Sequence, residues 1–360
     1  MVVALNGFVL AAGLAGFLAW PAFAQAPVVA VPDVHSSQPG EGVDRQAAYA
    51  PLPGGGFVLV YSRYERGDID SSVLRVAVSS DGSMISRDEP LTFGGAIEDA
   101  PSFVTTGDDT WLYFASGDED GEAIVLWRSR VTGTAFAAPE RLPDVPGLER
   151  LAQWPRWVDV GDEVFLAFRG RKSKPSWIRL QDGVPQGDPH PVGPGAVAYP
   201  RVVPMTGGGC FFSYQRPPDG GYMATYFSVS DDCTGWSPPE PLSWPDAPHK
   251  PDVHDAFALP RLDAGVDVYY VYSARKGPDA RFDVGFVLYR RAVMPDGRLG
   301  PEEQLTERDA FEPFAPTAHR KPDGSILVTF SDIHATGANG VSSACMTFFE
   351  LASDAAAPAT

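Results

Sequence analysis

A short apolar run recurs six times along this chain, at Phe57–Tyr61, Trp111–Ala115, Val164–Phe168, Cys210–Tyr214, Val268–Tyr272 and Ile326–Phe330. The runs begin 46–58 residues apart, a period that marks a repeat architecture. Most follow a turn signal: Gly54-Gly55-Gly56, Gly107-Asp108-Asp109, Gly161-Asp162-Glu163, Gly207-Gly208-Gly209 and Asp323-Gly324-Ser325. Gly and Asp supply the positive φ that tight hairpins need. Upstream of each later run lies a proline pair: Pro101-Ser102, Pro155-Arg156, Pro200-Arg201, Pro260-Arg261 or Pro316-Thr317. Downstream comes a polar loop and a further β-type segment. Four units then end on a common pattern: Glu89-Pro90-Leu91, Pro139-Glu140-Arg141-Leu142, Pro239-Glu240-Pro241-Leu242 and Glu302-Glu303-Gln304-Leu305.

Each unit is thus read as four short strands. One such sheet cannot bury both its faces, so the units stack radially. The predicted fold is all-β, a six-bladed β-propeller. Composition agrees: 37 glycines and 35 prolines in 360 residues exclude a helical bundle, because Gly adds backbone entropy and Pro removes a donor. The sixth unit runs out after its third strand, near Leu351. Val28-Val29-Ala30-Val31 is expected to pair there and close the last blade, which would remove an open edge.

Residues 1–26 carry no charged side chain. Their apolar stretch Val9–Ala19, followed by Ala22-Phe23-Ala24-Gln25-Ala26, reads as a secretory signal peptide. The expected organisation is a signal peptide over 1–26, one propeller domain over 27–351 and a disordered tail over 352–360. Location is then secreted or periplasmic, with no membrane span. Export permits disulfides. The three cysteines are either three free thiols or a Cys210–Cys233 pair with Cys345 left over. The net charge of −18 argues against nucleic acid and anionic membrane surfaces as partners.

The segment Ser230-Asp231-Asp232-Cys233-Thr234-Gly235-Trp236 resembles the Asp box of sialidase-like (BNR-repeat) propellers, one residue short. Ser80-Asp81-Gly82 and Pro295-Asp296-Gly297 are weaker versions. The resemblance implies the same six-bladed fold, with the boxes as structural turns. It also implies a ligand face around the central funnel, where such enzymes use three convergent arginines on a substrate carboxylate. Here Arg156, Arg201 and Arg261 resemble those positions. Arg63, Arg216, Arg275, His254, Trp154 and Tyr199 are the other candidate ligand contacts, the two aromatics as platforms for a sugar ring. Arg suits a carboxylate because its planar fork binds it bidentately. The family's early Arg-Ile-Pro motif is absent, with Arg45 nearby.

For glycoside chemistry the resemblance asks for carboxylates. Asp99 is the candidate acid, with Asp255 or Asp332 as its partner. His249, Asp252, His254 and Asp255 read as a solvated polar loop. Asp118-Glu119-Asp120-Gly121-Glu122 suggests a Ca²⁺ loop but lacks the twelve-residue frame, so neither a metal nor another cofactor is expected. The chain is expected to act as a monomer on a glycan or small anionic ligand, possessing or lacking glycosidase activity. The competing reading is a non-catalytic extracellular scaffold that holds a protein.

Overall fold

The computed structural model describes residues 35–36, 42–65, 72–82, 84–118, 123–160, 163–193, 198–216, 224–242, 252–273, 286–307, 313–336 and 341–352. These residues form the six blades of a propeller, each an antiparallel set of strands, with blades 6 and 1 joined into one continuous sheet by a parallel pairing. Blade 1 runs inner to outer through Gly42–Pro51, Phe57–Glu65, Val73–Ser79 and Arg87–Leu91. Blade 2 starts with Ile97–Thr106 and Asp109–Gly117, and blade 3 with Arg156–Val160 and Glu163–Arg169. Blade 4 has Ala198–Pro204 and Cys210–Arg216, and blade 5 Asp252–Pro260 and Val266–Ser273. Blade 6 has Pro313–Arg320, Ile326–Thr336 and Val341–Leu351. The six apolar runs of the sequence are the second strands.

Those runs lack strict alternation because both faces of each second strand are covered. Val58, Val60, Leu166, Phe212, Val268 and Val328 are all buried. Six apolar clusters fill the six gaps between neighbouring blades. One joins Ile97 and Tyr113 of blade 2 to Trp157 and Leu166 of blade 3. Another joins Phe165 and Trp177 of blade 3 to Phe212 and Tyr214 of blade 4. Toward the axis the blades converge, and small side chains there fit the taper: Ala47, Ala48, Ala100, Ala256, Ala258 and Ala318 are buried on the inner strands. At Gly265, which opens the second strand of blade 5, φ is +77° and a Cβ would collide with the Val293 carbonyl oxygen. Only glycine fits that turn.

The ring closes where blade 6 meets blade 1. Leu327, Met346 and Phe348 pack with Phe57, Leu59 and Tyr61, and Val43 pairs in parallel with Ala344. The Thr317 hydroxyl donates to the Ala47 carbonyl (3.0 Å), and the Met346 amide to the Asp44 carboxylate (3.2 Å). A two-residue strand, His35–Ser36, pairs with the outer strand of blade 6 opposite Phe348 and Thr347. The segment 28–31 expected to do this lies outside the described residues, as do residues 1–26, expected to be a signal peptide, and most of the tail. No helix among the described residues is long and apolar enough to cross a membrane.

Cys210 and Cys233 form a disulfide. It ties the second strand of blade 4 to the Asp-box-like turn. In that turn the Asp232 carboxylate accepts from the amides of Thr234 and Gly235 (both 2.8 Å) and from the hydroxyls of Thr234 and Ser230. These donors hold its pKa well below the ordinary carboxylate value, the Gly235 amide most strongly. Trp236 closes the turn edge-on against Phe212.

Candidate functional site

The site is built by one irregularity repeated around the ring. The inner strands of blades 1, 2, 4, 5 and 6 each carry a β-bulge. At the same point of the frame a non-glycine residue adopts left-handed φ: Gln46 (55°), Ala100 (55°), Trp154 (49°), Tyr199 (49°) and Ala315 (47°). Such residues cost about 1–3 kcal/mol each and gather where strain serves function. Two residues further along stand Ala48, Ser102, Arg156, Arg201, Phe257 and Thr317, paired across their sheets with Val60, Tyr113, Ala167, Ser213, Tyr269 and Thr329.

Arg156 and Arg201 therefore occupy matching positions of adjacent blades, at 5% and 8% exposure. With Arg45, Gln46, Tyr199 and Ala315 they frame a narrow throat of about 10 Å³, roughly the room for one water-sized group. Arg45 comes from blade 1, and its guanidinium lies 4.6 Å from the centre of the Phe314 ring and 5.2 Å from that of Tyr64. Arg156 lies over Tyr199 and donates through Nη1 to the Pro155 carbonyl (2.7 Å). The Nε atoms of Arg45 and Arg156 are buried and have no hydrogen-bond partner. An unmet buried donor costs about 1–3 kcal/mol, and more when charged. Arg201 lies over the Phe257 ring at 4.7 Å.

Below the throat the channel widens to a chamber of about 220 Å³. Its wall includes both arginines, Ala48, Ser102, Val158, Phe257 and His319, and, among the described residues, no carboxylate. His319 contacts the Ala47 carbonyl (3.0 Å) and the Thr317 hydroxyl (3.1 Å) through Nε2 and stacks on Tyr49. Burial brings its pKa down to about 4, against a weaker upward pull from the Ala47 carbonyl. It is neutral at neutral pH, so the cationic charge on the wall is at the arginine end.

The candidate acids are placed differently from expectation. Asp99 is buried beside the throat and accepts from Ser62 Oγ (2.6 Å) and Tyr64 Oη (2.7 Å). Burial first, then the charge of Asp99, raises the Tyr64 phenol well above its ordinary pKa, with Arg45 and Arg156 opposing. Tyr64 is thus a neutral donor and a poor nucleophile. Asp332 is buried within blade 6 and lines neither throat nor chamber. Asp255 and His254 fall in the bulge of blade 5, with only their backbone described.

Three arginine assignments change. Arg261 lies at the far end of its strand and is held by Asp263 (2.9 Å) and Asp267 (2.8 Å). Phe257 takes its place in the frame, because the blade 5 inner strand starts at Asp252 and Pro260 ends it. Arg63 is bound to the fully buried Asp44 by two hydrogen bonds (2.5 and 2.8 Å), so it braces the blade 6–blade 1 seam. Arg216 lies over Tyr226, 4.4 Å from its centre and away from the channel. Arg275 and residues 119–122 of the suggested Ca²⁺ loop lie outside the described residues. Trp154 and Tyr199 do meet at the mouth, with ring centres 5.1 Å apart. Arg45 and Tyr64 were not among the candidate ligand contacts. Arg45 stands directly before the left-handed Gln46 of blade 1, away from any Pro-Arg pair.

No protein-family model and no curated protein matches the sequence. Solved structures do share its fold. A protein of unknown function from Dyadobacter fermentans aligns over 91% of this chain and 100% of its own, at 13% identity and a TM-score of 0.65. The NanB sialidase from Streptococcus pneumoniae aligns over 88% of this chain and 70% of its own (10%, 0.60). The Penicillium chrysogenum alpha-L-arabinanase complexed with arabinobiose aligns over 84% and 92% (12%, 0.56). In fold this chain is a six-bladed β-propeller similar to these structures. Its structural neighbours include glycoside hydrolases of two kinds, and at such identities the likeness is one of fold.

Proposed function

We propose that this chain is an exported propeller that binds a carboxylate-bearing ligand, a glycan acid in the first instance, at the mouth of its central channel. The observation that carries the reading is the convergence of Arg45, Arg156 and Arg201 on the throat, with two guanidinium Nε donors unmet and no carboxylate among the described residues of the lining. A bound carboxylate would satisfy those donors through charge-assisted hydrogen bonds. Trp154 and Tyr199 would flank the sugar ring. Export is supported by the apolar N-terminal segment and by the Cys210–Cys233 disulfide, which suits an oxidising compartment.

Binding without turnover is the form the geometry favours. Glycoside hydrolysis needs two carboxyl groups or an activated nucleophile flanking the sugar. Asp99 is instead engaged by two hydroxyls, and Tyr64 is held neutral. The fold of the structural neighbours favours hydrolysis as the second reading, with Asp99 as acid. Calorimetric titration with glucuronate and N-acetylneuraminate, beside a panel of fluorogenic glycosides, tests both. Saturable binding without release of the fluorophore supports the first reading. Turnover that Asp99→Asn abolishes would establish the second.

A further inference from the structure

The throat and the chamber share Gln46, Arg156 and Arg201. The same two guanidinium groups thus face a solvent-side mouth and an enclosed space beneath it. Its lining sets Arg156, Arg201 and Gln46 beside Ala48, Val158, Phe257, Leu259 and a neutral His319, and includes Ser102 and Thr317, the latter already bonded to the Ala47 carbonyl. A sugar ring, with hydroxyls on every side, would leave those against the apolar side chains without partners, at the cost of their hydration. A flat apolar body carries no such cost. The volume suits one: about 220 Å³, against the roughly 150 Å³ with which an apolar cavity already admits benzene. The chamber also adjoins a wider cavity of about 570 Å³ on the opposite face, through Tyr49, Phe103, Leu259 and His319.

We infer that the chamber is a binding compartment for a compact aromatic carboxylate, its carboxyl held by Arg156 and Arg201 and its ring packed between Val158 and Phe257. This rests on the reading of the arginines as an anion site and assigns the ligand's other end. Phe257 already carries the Arg201 guanidinium on its face, so a ring beside it would share an aromatic wall.

The test is calorimetry on the purified protein with sodium benzoate, glucuronate and 2-naphthoate as probes. Benzoate is expected to bind, and Arg156→Ala to abolish binding. Ser102→Phe, which fills the chamber, is expected to weaken benzoate by ~10–100-fold, the value of one buried ring, and glucuronate far less. Val158→Ala, which enlarges it, is expected to admit 2-naphthoate, and this arm stands if Ser102→Phe does not fold. Glucuronate binding that depends on Arg156, with no benzoate binding, would overturn the chamber and leave the mouth intact. Benzoate binding unaltered by Ser102→Phe, with 2-naphthoate still excluded by Val158→Ala, would overturn it too. Binding of no carboxylate at all would overturn both.

Discussion

Asp44 shows how a single buried carboxylate organises the seam of the ring. It is fully buried, bonded twice by Arg63 and once by the Met346 amide across the blade 6–blade 1 boundary. Removing one partner of a buried pair strands the other, at about 3–5 kcal/mol. Asp44→Ala is therefore expected to lower stability by that amount in urea titration, far more than an exposed pair such as Arg141–Asp144. Arg63 was read as a ligand contact because the sequence shows a basic loop and hides a partner 19 residues away. Tyr64→Phe, which leaves Asp99 with one donor fewer, is expected to cost about 1–3 kcal/mol by the same measurement. His319 sets a pH dependence. Its folded pKa, about 4, lies below the 6.5 of the free side chain. The unfolded chain thus binds the extra proton first. The stability this neutral ring contributes is fully present above pH 6.5 and falls away as the pH drops toward 4. Unfolding of wild type and His319→Gln at pH 7 and pH 4.5 checks this; an equal loss in both would remove His319 from the account.

At the scale of the strand, the second strands were legible because burial on both faces leaves apolar runs, most of them behind a turn signal. The inner strands were not. Their bulges rest on Gln46, Ala100, Tyr199 and Ala315, and the entry to blade 3 on Trp154, none of them a glycine, so nothing in the residue type announces the left-handed turn. The Pro-Arg pairs offered a false frame, matching the mouth at Arg156 and Arg201 but the wrong strand end at Arg261. Ala100→Gly is expected to be neutral or stabilising by up to about 1 kcal/mol, and Ala100→Val destabilising by about 1–2 kcal/mol, since only a Cβ makes this φ costly. Thermal melting of the two variants separates these outcomes. The Cys210–Cys233 bridge closes a loop of 23 residues, so a double Cys→Ala change is expected to cost ~3 kcal/mol.

The whole molecule reconciles an acidic total with an anion site. The charge of −18 is carried by turns and outer strands, for example Asp232, Asp263, Asp296 and Asp323, whose carboxylates bond within their own turns. Among the described residues the lining of the throat and chamber is cationic and holds no acid. The six-fold repeat told where inner strands must converge, and so that a central face exists. Which side chains meet there depends on register and on bulges, both set by tertiary packing. The most direct test is glucuronate titration of wild type and of an Arg156→Ala, Arg201→Ala double variant, at low and high salt, with thermal melting to confirm that both are folded. The account predicts saturable binding by the wild type that weakens with salt, and a loss of at least about 100-fold in the variant, as two charge-assisted contacts require. Undiminished binding by a folded double variant would contradict it.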